Sequence, residues 1–391
     1  MNTQAAQRIL QVQDPVIPII GRLAAQNPGT ISLGQGVVHY SPPPSVTDRV
    51  LQSLGSNQSV HQYGDVCGVE PLIDALSHKI QNENGITDVP ETASIVVTAG
   101  ANMAFMNAIS VIADKDDEII LLSPYYFNHQ MAIEILGCRV CTVSSLRNHQ
   151  PDLEAIESAI TTRTRAIVTV SPNNPTGAVY AHDDLVAINN LCAKKGIFHI
   201  CDEAYEYFVY DDESHFSPGS LSGASQHTIS LYSMSKSYGM AGWRAGYMVI
   251  PNQLSMSVKK FQDTNLICPP RVVQNAMLGA LEAGGGWCRE QAQPFNEIRK
   301  RIIGELLDCK VISNLPEPKG GFYFLLGLNL KLSAMEVCKN LIERYQVATL
   351  PGSTFGDENK CSIRISYGAL DSDSVLEGVS RLRNGLEQLA P

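Results

Sequence analysis

Several short polar strings in this 391-residue chain carry the side chains that covalent and acid–base chemistry needs. Ser233-Met234-Ser235-Lys236-Ser237-Tyr238-Gly239, followed by Gly242-Trp243-Arg244, offers an amine able to condense with a carbonyl, flanked by hydroxyls and a guanidinium suited to an anion. Asp202-Glu203-Ala204-Tyr205 supplies a carboxylate and a phenol, and Ser171-Pro172-Asn173-Asn174-Pro175-Thr176-Gly177 an amide, Asn174, that can bond a hydroxyl. Thr98-Ala99-Gly100-Ala101-Asn102 reads as a small-residue turn into a helix whose free N–H groups can hold an anion. Ser123-Pro124-Tyr125-Tyr126-Phe127 adds aromatic faces for a flat ring. Singly each string has a structural explanation: Asn-Pro-Thr-Gly makes a turn, Asp202 can cap a helix, and Lys236 can be a solvated lysine.

What unites the strings is their position, because each follows a short apolar run. The spacing predicts strands at Ile95–Val97, Glu118–Leu122, Ala166–Val170, Gly196–Cys201 and Thr228–Tyr232, with a sixth at Ala245–Ile250 after Arg244. These runs are rich in Val and Ile and mostly lack polar alternation, as strands covered on both faces of a largely parallel sheet do. In such sheets ligands bind beyond the carboxyl ends of the strands. The order changes after Gly284-Gly285-Gly286, where amphipathic stretches at Pro294–Leu307, Ala334–Tyr345 and Asp373–Leu389 alternate with short strands near Phe322–Leu326 and Ser362–Ser366. The expected architecture is α/β, with a large domain over 46–284 built on a mostly parallel sheet sandwiched by helices. A small α+β domain is expected over 285–391, joined by the N-terminal segment 1–45.

Composition narrows the function classes. The 29 Lys and Arg against 39 Asp and Glu leave a net charge of −10, which argues against nucleic-acid and anionic-membrane partners. No apolar run approaches the ~18 residues of a membrane span, and the polar residues of the first 20 positions do not make a signal peptide, so a cytoplasmic protein is expected. The ten cysteines read as reduced thiols. Cys138 and Cys141 form a C-x-x-C within a strand-like segment and without a second pair, so no metal site is expected. Gly34-Gln35-Gly36 stands alone and is no dinucleotide-binding fingerprint.

Taken together, the strings supply what pyridoxal 5'-phosphate requires: a lysine amine, a carboxylate partner for the pyridine nitrogen, and an anion seat for the phosphate. Over nearly its whole length the chain resembles the fold-type I, class I and II pyridoxal-phosphate aminotransferases. Besides the strings above, the resemblance rests on Gly34-Gln35-Gly36, Tyr63-Gly64, Gly320-Gly321-Phe322-Tyr323, Pro351-Gly352-Ser353-Thr354-Phe355-Gly356 and Ile363-Arg364-Ile365-Ser366. It implies an aspartate aminotransferase-like fold with a seven-stranded type of sheet. It also implies that Lys236 binds the cofactor covalently and, once released by substrate, carries the proton at the substrate α-carbon. By the same resemblance Asp202 pairs with the pyridine nitrogen, Asn174 and Tyr205 with the ring hydroxyl, and Tyr126 stacks on the ring. Ser233, Ser235, Arg244 and the backbone of Ala101 and Asn102 hold the phosphate, with Tyr63 reaching in from a second subunit of a homodimer. Arg364 grips the substrate carboxylate, beside Gly36 and Asn174.

The expected reaction is ping-pong transfer of an amino group between an L-amino acid and a 2-oxo acid. Dicarboxylate-specific relatives usually carry a second cation, and at the two usual places this chain has Asp263 and Asn102; Arg271 lies nearby. The stretch Gly36-Val37-Val38-His39-Tyr40-Ser41-Pro42-Pro43, with Tyr125-Tyr126-Phe127-Asn128, resembles plant aromatic aminotransferases, which implies aromatic or methionine substrates. The alternatives are an aspartate or broad-range aminotransferase and a β-eliminating C–S lyase.

Overall fold

The computed structural model describes residues 5–56, 58–357 and 361–390. Its centre is a seven-stranded sheet formed by Ala93–Thr98 (β1), Glu118–Ser123 (β2), Arg139–Ser144 (β3), Thr164–Val170 (β4), Phe198–Asp202 (β5), Thr228–Ser233 (β6) and Gly246–Pro251 (β7). Spatial order is β1-β7-β6-β5-β4-β2-β3, with β7 alone running against its neighbours. Ile119, Ile120, Ile167, Ile200, Ile229 and Met248 are fully buried, as runs covered by helices on both faces must be. The predicted strands are present, and four of them extend to the polar residues Thr98, Ser123, Asp202 and Ser233. The ladder therefore carries candidate site residues to the sheet edge. Because β7 is reversed, it starts where the others end and brings Arg244 to the same edge.

A second, antiparallel sheet contains Ile312–Asn314 (β8), Tyr323–Leu328 (β9), Leu350–Pro351 (β10) and Ser362–Ser366 (β11), in the order β10-β11-β9-β8. The helices Ala334–Tyr345 and Ser372–Leu389 pack over it through Val337, Leu341, Val379 and Leu382, all inaccessible to solvent. Ser333 and Glu336 close a capping box at the start of the first of these helices. Ile31–Ser32 pairs in parallel with Val347–Ala348, which ties the N-terminal segment to this layer.

One expectation is corrected. The helix thought to begin at Pro294 runs from Arg271 to Leu306, with Pro294 inside it. The break lies at Gly284 alone (φ 71°, ψ 175°), and the second half is held by Phe295, Ile298, Ile302 and Leu306. Tertiary packing outweighs the missing proline N–H, which sequence reading takes as a helix start.

Candidate active site

The strand ends enclose a cavity of about 230 Å³. Ala101, Asn102, Tyr126, Asn174, Asp202 and Tyr205 line it, as do Ser233, Ser235, Lys236, Arg244, Gly36 and Arg364. Tyr63 does not: its side chain is 77% exposed on the surface. Arg271 and Asp263 are also outside the lining, and the Arg271 guanidinium donates to Ser59 Oγ (3.0 Å) and the Tyr63 carbonyl (3.5 Å).

At one end the chain builds an anion seat. Gly100, at φ +83°, turns β1 into the helix Ala101–Ile112, and Arg244 takes the left-handed region at φ 55°. A Cβ on Gly100 would come within 2.6 Å of Arg244 Nη2, so glycine is what lets the guanidinium approach the first free N–H groups of the helix. Gly246 serves the same approach, since a Cβ there would meet the backbone of Gly100 and Ala101 at 2.8–2.9 Å. Ser233 caps the short helix Met234–Ser237 by accepting the Ser235 N–H (3.2 Å). Hydroxyls, helix N–H groups and a guanidinium converging on a cradle left open by glycine fit a phosphate.

Lys236 extends from that short helix into the middle of the cavity. Burial, followed by the charges of Arg244 and Arg364, lowers its amine to about 8, with Asp202 acting in the opposite sense. An amine so tuned has a far larger unprotonated fraction near neutral pH than an ordinary lysine, which suits a nucleophile and proton carrier. Asp202 Oδ2 is 3.1 Å from His129 Nε2, and Oδ1 accepts the Ala204 N–H at 3.1 Å. The His129 ring stacks on Phe105 with centroids 4.0 Å apart. The pair holds the Asp202 carboxylate in one orientation.

The far end is cationic without a counter-charge. Arg364, 2% exposed, donates to Asn174 Oδ1 (3.1 Å) and the Gly34 carbonyl (2.6 Å), and its Nε has no partner among the described residues. Its guanidinium lies 4.6 Å from the Tyr323 ring centroid and 5.0 Å from that of Phe355. Burial lowers its pKa, but arginine keeps its proton. A buried cation facing an amide, a carbonyl and aromatic rings is poised to receive a carboxylate in two-pronged fashion.

Sequence reading missed His129 and the role of Tyr323. His129 lies one turn along the helix from Tyr126, so the i, i+3 spacing was the available signal. The Tyr323 hydroxyl lies 2.8 Å from that of Tyr205, a contact between residues 118 apart that no local pattern encodes. Among the described residues no group of three His, Cys, Asp or Glu is placed to hold a metal, and no helix is long and apolar enough to cross a membrane.

Sheet order, reversed β7 and the lysine cavity together define an α/β enzyme of the aminotransferase type. The model of the "Aminotransferase class I and II" family matches residues 28–382, so the chain belongs to that family and is a transaminase. It is 32% identical to a probable aspartate/prephenate aminotransferase of Aquifex aeolicus, with all of both chains covered. It is 30% identical to an aromatic aminotransferase of Arabidopsis thaliana, over 98% of this chain and 96% of that one. The structure of an aspartate aminotransferase from Thermus thermophilus with maleate superposes with a TM-score of 0.90 at 27% identity, covering 98% of this chain and 99% of that one. The family uses pyridoxal phosphate, and its substrates are small molecules.

Proposed function

We propose that this chain is a pyridoxal-phosphate-dependent aminotransferase that moves the amino group of an L-amino acid with an aromatic or methionine side chain to a 2-oxo acid. The observation that carries the substrate class is the rest of the cavity lining: Ile17, Val37 and Phe127 are apolar and Gln35 is uncharged, and among the described residues the cations that line the cavity are Lys236, Arg244 and Arg364. Those three are matched to the amine chemistry, the phosphate and the α-carboxylate, which leaves an apolar space for the side chain. Arg271 lies outside that lining, its guanidinium occupied by Ser59 and the Tyr63 carbonyl.

Bound pyridoxal phosphate supplies an electron sink that makes the α-proton of an amino acid removable. In this reading Ser233, Ser235, Arg244 and the N–H groups of Ala101 and Asn102 hold its phosphate, while Asp202, oriented by His129, faces the ring nitrogen. Asn174 and the Tyr205 phenol face the ring hydroxyl, and Tyr126 covers the ring. Arg364 binds the substrate carboxylate beside Gly36 and Asn174, and the Lys236 amine takes the α-proton and returns it. Tyr63 is assigned to the phosphate of a second subunit in a homodimer. The Gly284 break and the pairing of Ile31–Ser32 with Val347–Ala348 support a division into 46–284 and 285–391, the latter joined by 1–45.

An amino-donor panel with phenylpyruvate and 2-oxoglutarate as acceptors tests the proposal. The expected result is keto-acid-dependent turnover with Phe, Tyr, Trp or Met exceeding that with aspartate. Preference for aspartate would overturn the substrate class, and pyruvate and ammonia from cystathionine without any keto acid would replace transamination by C–S lysis.

A further inference from the structure

The short helix that carries Lys236 ends after Ser237, so its last carbonyls have no partner within the helix. The phenol of Tyr40, nearly two hundred residues earlier in the chain, reaches one of them: its hydroxyl donates to the Lys236 carbonyl at 2.7 Å, with the Ser237 carbonyl at 3.4 Å. The same carbonyl also receives the Gly239 N–H at 3.3 Å and faces the N–H of Tyr238. The approach is built into the backbone on both sides. Gly239 adopts φ +64°, and a Cβ there would lie 2.7 Å from the Tyr40 carbonyl, so glycine alone lets the two segments touch.

Aromatic rings fix the position of the phenol. Trp287, just beyond the Gly284 break, meets Tyr40 edge-on with centroids 5.6 Å apart, and lies parallel to Tyr238, the residue that follows the lysine helix, at 6.0 Å. His39, adjacent to Tyr40, donates from Nδ1 to the Gly368 carbonyl (3.3 Å) and packs edge-on to Phe295. The loop bearing Tyr40 also bears Gly36 and Val37, which line the same cavity as the lysine. A phenylalanine would fill the same space and leave the carbonyl without its strongest partner.

From these contacts we infer that Tyr40 is a positioning residue for Lys236: its hydroxyl caps the lysine helix from the substrate-side loop and holds the amine in register with the cavity. The inference rests on Lys236 being the reactive amine. It acts through the backbone, so its loss changes where and how firmly the lysine is presented and leaves the Arg364 carboxylate site intact.

The test compares wild type with Tyr40→Phe. Hydrogen exchange on the cofactor-free protein reads the turn directly, and the variant should exchange faster in the segment 236–240. Reduction with borohydride after mixing with pyridoxal phosphate reads presentation of the amine, and labelling of Lys236 should slow by about fivefold to tenfold, the size of one lost hydrogen bond. In the holoenzyme kcat should fall by a similar factor, with KM and the inhibition constant of a substrate-like carboxylate within twofold. Equal exchange and equal labelling rates in the two proteins would overturn the inference. So would a fall in melting temperature with kcat unchanged, since that assigns the hydroxyl to stability alone. Absence of label on Lys236 in wild type would instead remove the reading on which the inference rests.

Discussion

Arg364 shows how a single residue can announce its ligand. It is charged and buried, has no acidic partner among the described salt bridges, and holds one guanidinium nitrogen unpaired. Such a group costs stability in the free enzyme, a cost offset when an anionic ligand pairs with it. Replacing it, Arg364→Leu, is therefore expected to raise KM for both the amino acid and the oxo acid by about two orders of magnitude, the scale of a lost two-pronged charged bond. Cofactor binding, measured by fluorescence quenching, should change little because the phosphate seat is at the opposite end. Unchanged KM would remove Arg364 from carboxylate recognition. At this scale much is legible in the sequence: Lys236, Asp202, Asn174 and Arg244 lie in short polar strings at strand ends, while Arg364, inside β11, is marked by the family resemblance alone. His129 and the role of Tyr323 are not legible there, because their contacts to Asp202 and Tyr205 join segments far apart in the chain.

Among the elements, β5 and β7 do most to position the site. Strand β5 carries Asp202 at its end and, three residues earlier, His199, which is fully buried between Thr169 (2.9 Å) and Asn189 (3.1 Å). The Asn189 amide donates to Nδ1, so the ring is held neutral, and burial lowers its pKa to about 3. The unfolded chain binds a proton here below 6.5 and the folded chain does not, so the contribution is complete above pH 6.5 and is lost as pH falls towards about 3. The loss is up to ~1.4 kcal/mol per pH unit. Denaturant melts across pH 4 to 7 should show a shallower pH slope for His199→Gln than for wild type; identical slopes would contradict this assignment. Strand β7 matters through Gly246, whose hydrogen side faces the Gly100 turn. In Gly246→Ala the added methyl must push that turn away, and cofactor affinity should fall about tenfold or more. Unaltered affinity would show that the turn is not the phosphate seat. The strands were readable because buried parallel runs lack alternation, whereas the helical run that resumes after the Gly284 break and passes through Pro294 to Leu306 was not, since Gly285, Gly286 and Pro294 mimic a linker and a fresh start.

Across the whole molecule, the net charge of −10 coexists with a cleft where Lys236, Arg244 and Arg364 converge, so an acidic protein can still attract anionic ligands locally. The surface carries a second message. Tyr63, Leu51, Leu54 and Ile267 are 77, 63, 49 and 43% exposed, an apolar display that fits a second copy of the chain. Light scattering should give a mass near twice the 42.5 kDa of one chain, and Tyr63→Phe should weaken cofactor binding without changing that mass. A fully active monomer would contradict the shared site. The central claim, that Lys236 is the amine that meets pyridoxal phosphate, is tested most directly by borohydride trapping on the cofactor-free protein over a pH series, with peptide mapping of the label. The predicted result is one labelled peptide containing Lys236, formed at a rate that rises with pH to a midpoint near 8 and then levels. Label on other lysines only, or a rate that keeps climbing toward the ordinary lysine value of about 10.4, would contradict it.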